Sequence, residues 1–390
     1  MNFQNIKKLE DRKIKRGERW VYSAGFNVKP NLKNTERIDS EIDDIQQISE
    51  AGGIVIILSH QGRQSDGDVI HLDFVANYLT KRLGKKVKYF PENNTIEAID
   101  FANSLKEGEI AIVGNTRFNE GEEKNYAELA EQFSKFGDFA AIGGFNKAHR
   151  EHASNIGVLN YLPGFLTRNH LREMKLLKPW AGRSESYSVA ILGGVKKEKI
   201  TVGLRGFSKI YDFIIPGGIV LNTILKVEGY NIGNSVIEDE GRTFEKEAKE
   251  ILKENRNKIY IPSKVFITKD FKNYKLIDIC EGVGDEYSIV DSILNNGAIE
   301  SLERAVNKKG RILLAGTPSL YKKGFKDATM KCLSYLEHQR VMSIILGGDS
   351  INEIPFNGIK SSGGGSSLEY LCSGTTAVYE ALKRNKEKFN

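Results

Sequence analysis

The chain has 390 residues, more than one hydrophobic core usually serves, so two domains are expected. Its 57 Lys and Arg exceed its 51 Asp and Glu by only +6, spread without a basic tail, which argues against nucleic acid as a partner. No apolar run approaches the roughly 18 to 20 residues that cross a bilayer, and the opening MNFQNIKKLEDRKIKRGERW has no apolar signal core, so a cytoplasmic chain with no membrane contact is expected.

In chain order, a helical pattern at 38–51 (IDSEIDDIQQISEA) leads to an apolar run at 53–59 (GIVIILS). A second helix is expected at 72–84, then runs at 109–114 (EIAIVG) and 139–144 (FAAIGG) flanking a helix at 126–137. A helix is read at 165–177 (FLTRNHLREMKLL), and the polar 178–186 (KPWAGRSES) after it marks the domain boundary. Runs at 188–194 (SVAILGG), 212–217 (DFIIPG), 311–316 (RILLAG) and 343–348 (SIILGG) follow. Strands apolar on both faces belong in parallel sheets covered by helices. The expected fold is therefore α/β with two Rossmann-like domains, each a parallel sheet flanked by helices, joined by a hinge helix. The three cysteines, Cys280, Cys332 and Cys372, are too scattered for a disulfide framework or a zinc site and read as buried small hydrophobes.

Basic residues stand where the first domain's strands end. His60 and Arg63 sit in SHQGRQ, Arg117 in GNTRF, and His149, Arg150 and His152 in NKAHREHAS, while Arg37 follows a polar loop. Any one of them alone is more often a solvated surface charge. Loops at one sheet edge converge, however, so the set is read as an anion-binding patch. HREH as a metal pair is a weak alternative, since no third ligand lies near. The second half carries Gly-rich loops after strands: Gly193 and Gly194 in GGVKKEKI, with Lys196, Lys197 and Lys199; Gly217 and Gly218; Gly347 and Gly348 in LGGDS, with Asp349 and Ser350; and SSGGGSSLEYL. Several such loops in one domain, with an aspartate able to hold Mg²⁺, point to a nucleotide site.

In this order the segments FNV (26–28), ERI (36–38), SHQGR (59–63), NTRF (115–118), AHREHAS (148–154), GGVK (193–196), IGNS (232–235), GGDS (347–350) and SSGGGSSLE (361–369) resemble the phosphoglycerate kinase family, from about Lys7 to the C-terminus. The resemblance implies an acid-binding domain at 1–170, with 371–390 packing back on it, and a nucleotide domain at 185–370, which close about a hinge. It further implies that Arg37 stabilises the phosphoryl group in flight, and that Asn27, His60, Arg63, Arg117 and Arg150 bind a small acidic carboxylate or phospho-carboxylate. Lys196 matches the lysine beside the transferring phosphate, Gly364 and Gly365 the turn facing it, and Asp349 the Mg²⁺ ligand. Gly193, Gly194, Lys199, Gly217, Gly218, Gly347, Gly348 and Ser350 complete an ATP or ADP site. A monomer is expected.

The departures fall mainly on the nucleotide side. Where the family has an aspartate for the substrate hydroxyl, this chain has Gly25, and the GGVKKEKI loop brings its next family lysine one residue early, leaving Lys199 or Lys197 for the place. The family's Trp-Asn-Gly-Pro motif and the glutamate after it are replaced by LLAGTPSLYKKGF at 313–325, with no asparagine and no acid. Three readings follow: a carboxylate kinase acting on an acid other than 3-phosphoglycerate, which ranks first; an ordinary phosphoglycerate kinase; and a catalytically silent anion-binding homologue.

Overall fold

The seven runs read above, rich in Val, Ile and Leu, all form strands of parallel sheets, with helices packed against them. The structure, a computed structural model, describes residues 3–347 and 354–390. It divides into two units, one running to Leu176 and taking in Thr375–Asn390, the other spanning Leu177–Gly374.

The first unit is built on β1 (Arg19–Ser23), β2 (Ile54–Leu58), β3 (Val87–Phe90), β4 (Ile110–Val113), β5 (Phe139–Ile142) and β6 (Gly164–Leu166). Their order is β3-β4-β2-β1-β5-β6, every pair parallel. Val21 of β1 stands between Ile56 of β2 and Ala140 of β5. Trp20, Tyr22, Val55, Ile57 and Ile112 form the core on one face with Ile45 and Val75 from the covering helices. The C-terminal helix Ala377–Lys388 is fastened by Asn385, whose side chain accepts from Gly164 N at 2.7 Å and donates to the carbonyls of Leu159 and Leu162.

In the second unit the strands are β7 (Ser188–Leu192), β8 (Phe213–Pro216), the short pair β9 (Glu238–Asp239) and β10 (Arg242–Thr243), β11 (Lys264–Thr268), β12 (Tyr274–Asp278), β13 (Ser288–Ser292), β14 (Arg311–Ala315), β15 (Met342–Leu346) and β16 (Ile359–Ser361). The parallel sheet runs β16-β15-β14-β7-β8. Beside it stands an antiparallel sheet, β12-β11-β13, that the sequence reading did not anticipate; it closes a separate core of Leu221, Leu225, Val265 and Ile267. In both parallel sheets the strand order reverses at the first strand of the unit, β1 or β7, and the crevice outside the carboxyl ends there is the usual ligand position.

Two expectations need correction. The pattern at 165–177 is not all helix: Gly164–Leu166 pairs with β5, and the helix is Arg168–Leu177, because the apolar Phe165 and Leu166 extend the sheet before the amphipathic stretch begins. Of the cysteines only Cys332 is buried; Cys372 is half-buried and Cys280 exposed, since Cys280 lies in a surface turn where Asp278 accepts its N–H. No helix among the described residues is long and apolar enough to cross a membrane.

Candidate functional site

The candidate basic residues of the first unit stand on segments that follow strand ends: Arg37 on the short helix Glu36–Asp39 after β1, His60 and Arg63 after β2, Arg117 after β4 and Arg150 after β5. After β1 the backbone turns where Gly25 and Gly144 meet so closely that a Cβ on Gly25 would lie 2.7 Å from Gly144 Cα; no side chain fits at position 25. Gly25 N–H is taken by Glu41 Oε1 at 2.9 Å, and its carbonyl by Asn146 Nδ2 at 3.0 Å. Asn27 then accepts from Gly62 N through Oδ1 at 3.3 Å and from Arg37 Nη1 through its carbonyl at 2.7 Å. Buried Asn115, after β4, donates to the carbonyls of Gln61 and Ile70 and accepts from Arg117 N, so the loops carrying His60, Arg63 and Arg117 form one body.

Arg117, Arg150 and His152 lie close enough to act on His60, and Arg63 on Arg117, while Arg37 and Asn27 join the same loops through Gly62. Arg117 is 0% exposed; its Nη1 pairs with Glu123 at 2.9 Å and lies 3.4 Å from His152 Nδ1. Among the described residues its Nε and Nη2 have no hydrogen-bond partner. A buried guanidinium with unused N–H groups is costly unless an anion meets it. Burial, then Arg117 and Arg150, push His152 down to about 2, and the same causes hold His60 well below the ordinary imidazole value. Lowered in this way, both rings favour the neutral form, and the positive charge around them comes from Arg117, Arg150 and Lys147. Arg63 and Arg150 are half-buried at the loops' outer side, Arg63 held by its N–H to Asp68.

Lys147, within the quoted NKAHREHAS, was not singled out, yet it lies buried beneath this set and is one of the cations acting on both histidines. Its sequence signal is faint, because a lysine in a polar loop normally reads as surface.

In the second unit the loops after β7, β8 and β14 interlock by backbone. Gly194 N donates to Thr317 O at 3.2 Å and Ile219 N to Gly194 O at 2.8 Å. Gly218, at φ +51°, would drive a Cβ into the Gly194 carbonyl, which only glycine avoids. Gly193, Gly194, Gly217 and Gly218 thus form one wall. Against it opens an apolar pocket lined by Val195, Ile219, Val236, Phe271, Pro318 and Leu320. Its polar members are already engaged: Asn222 Nδ2 donates to Val236 O, Ser288 Oγ to Asn234 O, and the Asp291 carboxylate accepts from the backbone of Asp327 and Ala328.

Lys196 is exposed on this loop. Lys197 turns away, paired with Glu240 and with its N–H on Asp239. Lys199 instead opens a π-helical turn, Lys199–Leu204, and runs back toward Gly194; burial pulls it down to about 8. Lys199, not Lys197, therefore accompanies Lys196 at the glycine loop. Gly364 and Gly365 open the helix Gly365–Ser373 directly after β16, and Gly347 follows β15, its N–H on Ser361 O. Gly348, Asp349 and Ser350 lie outside the described residues, so the expected Mg²⁺ ligand has no geometry here. Among the described residues no group of three or more His, Cys, Asp and Glu forms a metal cluster, HREH included.

The phosphoglycerate kinase of Thermosipho africanus is 31% identical over 378 residues, which cover 91% of this chain and 92% of that protein. That of Dictyoglomus turgidum is 30% identical over 383 residues, covering 94% and 96%. Among solved structures, the phosphoglycerate kinase of Pyrococcus horikoshii OT3 shares the fold with a TM-score of 0.82 at 24% identity, over 98% of this chain and 100% of that one. The Coxiella burnetii phosphoglycerate kinase gives 0.74 at 24% identity, with the same coverage. The family model described as Phosphoglycerate kinase matches residues 16–383, nearly the whole chain, and the protein belongs to the phosphoglycerate kinase family.

Proposed function

We propose that this protein transfers a phosphoryl group between ATP and the carboxylate of 3-phosphoglycerate, as a monomer in the cytoplasm. The observation that carries this reading is Arg117: a fully buried guanidinium with two nitrogens that have no hydrogen-bond partner among the described residues, among neutral histidines and further arginines, is a site suited to an anion. The names of the relatives favour 3-phosphoglycerate over the different acid that ranked first on sequence alone, and nothing in the comparisons supports that other acid.

On this reading Arg117, Arg63, Arg150 and His60 hold the acid's phosphate, and Asn27 lies toward its carboxylate. The glycine wall and the apolar pocket of the second unit take the nucleotide, with Lys196 and Lys199 on its phosphates. A carboxylate oxygen forms a bond to the γ-phosphorus as the bond to the β–γ bridging oxygen breaks, and ADP leaves with that electron pair. Arg37 carries the charge that develops on the transferring group, a role worth more in the transition state than in the ground state. Mg²⁺, expected at Asp349, would neutralise phosphate charge.

A different acid keeps one specific observation in its favour: position 25 has no side chain and no room for one, so a hydroxyl-reading carboxylate is missing there. Incubation with MgATP, hydroxylamine and one acid at a time, with hydroxamate as readout, separates the readings. Product with 3-phosphoglycerate supports the proposal. Product only with other acids supports the second reading, and none with any acid leaves an anion-binding homologue.

A further inference from the structure

Beneath the anion site runs a chain of buried polar groups that no helix or strand requires. Lys147, 3% exposed, donates from Nζ to Ser23 Oγ at 2.7 Å and to Asn155 Oδ1 at 2.6 Å. Ser23 Oγ donates to the Ser154 carbonyl at 2.6 Å, and Ser154 donates to the Glu122 carboxylate from Oγ at 2.6 Å and from N at 3.0 Å. Asn155 Nδ2 returns two bonds, to the carbonyls of Lys147 and Arg150 at 3.0 and 2.7 Å. Ser23, Glu122, Ser154 and Asn155 are all buried. The chain therefore ties together the end of β1, the segment after Arg117 that holds Glu122, and the loop bearing Arg150 and His152.

An apolar side chain of similar length fills such a space at far lower desolvation cost than an ammonium does. What the ammonium supplies is two strong, directed donors that fix loops to one another, and a charge that acts on His60 and His152. Supporting groups of this kind decide how accurately the groups that meet a ligand are held.

We propose that Lys147 is a positioning residue of the acid site, which through Ser23 and Asn155 sets Arg150 in register with Arg117 without itself meeting the substrate. The proposal rests on the acid-site reading above. The groups facing Lys147 are Glu41, Glu122 and Arg150, and Lys147 in turn faces His60, His152 and His170. Glu41 is itself faced by Tyr22, Asp44 and the Gly25 N–H, and Asp44 by Arg168. Burial lowers Lys147 to about 8, so its charge is lost as pH rises through that value, earlier than for an exposed lysine.

The test is calorimetric titration of the full chain with 3-phosphoglycerate and, separately, MgATP, for wild type, Lys147→Met and Asn155→Ala. Both variants are expected to bind the acid about tenfold more weakly, with MgATP affinity unchanged. Wild-type acid affinity should fall above about pH 8, a fall that Lys147→Met lacks. If Lys147→Met does not fold, Asn155→Ala, which removes no charge, decides. Wild-type acid affinity in a folded variant, or equal loss for both ligands, overturns the proposal. Failure of the wild-type chain to bind the acid overturns the acid-site reading and the proposal with it.

Discussion

Arg37 Nη1 donates to the Asn27 carbonyl at 2.7 Å, so the guanidinium on the short helix Glu36–Asp39 is held against the segment that leaves β1. One anchored N–H fixes the direction of the whole planar fork. A group fixed in this way suits charge that appears only during transfer. Arg37→Ala should therefore lower kcat by roughly 10² to 10³, with the KM for the acid changed by less than about threefold. Steady-state kinetics with both substrates varied give the split, and a pure KM effect would assign Arg37 to ground-state binding.

Arg63→Ala and Arg150→Ala should each weaken acid binding by about 1.5 to 3 kcal/mol, the scale of a charge-assisted hydrogen bond to phosphate or carboxylate. Nucleotide affinity should stay nearly unchanged, because the glycine wall belongs to the other unit. Titration of each ligand separately checks this, and parallel losses for both would show that the patch has been misassigned.

The sheets were legible where burial made the sequence uniform. β2, β4, β5, β7, β8, β14 and β15 are buried over most of their length, so apart from Ser188, Arg311 and Ser343 at or near their starts their residues are apolar, and a glycine follows within a few residues. β1 (RWVYS) lies at the centre of its sheet yet was missed. Its ends are polar: Arg19, whose guanidinium donates to the Ala102 carbonyl, and Ser23, which joins the polar chain to Lys147. The antiparallel strands KVFIT, YKLID and SIVDS were missed for a different reason, charged residues that interrupt the apolar pattern: YKLID is largely exposed, Lys264 opens KVFIT on the surface, and in SIVDS the charge is the buried Asp291, which accepts from the backbone of Asp327 and Ala328. The same logic divides the site. Arginines and histidines at strand ends announce themselves by position, whereas Lys147 and Glu41 depend on being buried, which no local pattern reveals.

Stability should show the buried histidines. His170 Nε2 lies 3.2 Å from the Gly143 carbonyl, and burial, with Lys147 nearby, lowers the ring to about 3 from an ordinary 6.5. A base lowered in the folded state takes up its proton first in the unfolded chain. Its contribution is thus fully present above about pH 6.5 and is lost as pH falls toward 3, at up to about 1.4 kcal/mol per pH unit. Glu41 and Asp291, raised to about 7 and about 6, act in the opposite direction, so the comparison must be with a variant. Urea unfolding at pH 7, 6 and 5 should show wild type losing stability more steeply than His170→Asn. Equal slopes would mean that the ring titrates normally in the folded chain.

On the proposed reading the apolar pocket of the second unit holds the nucleotide, and it should then read phosphates and shape rather than the base edge. Val195, Ile219, Val236, Phe271, Pro318 and Leu320 provide dispersion and desolvation that any purine ring satisfies. Asn222, Ser288 and Asp291 are held by bonds within the protein, so turning them toward a base would break contacts already made. The segment 313–325 adds neither the family's asparagine nor an acid for ribose hydroxyls. What remains specific is charge: Lys199, bent back to Gly194, and Lys196 beside it. ATP and GTP should therefore bind within roughly tenfold of each other, about 1.4 kcal/mol. Lys199→Met should weaken both by a similar factor, and Leu320→Ala should also weaken both, through lost ring contact. Titrations of the two nucleotides against wild type and both variants test the set together. ATP preferred by far more than tenfold would mean that a polar group of the pocket gives up its internal partner to read the base.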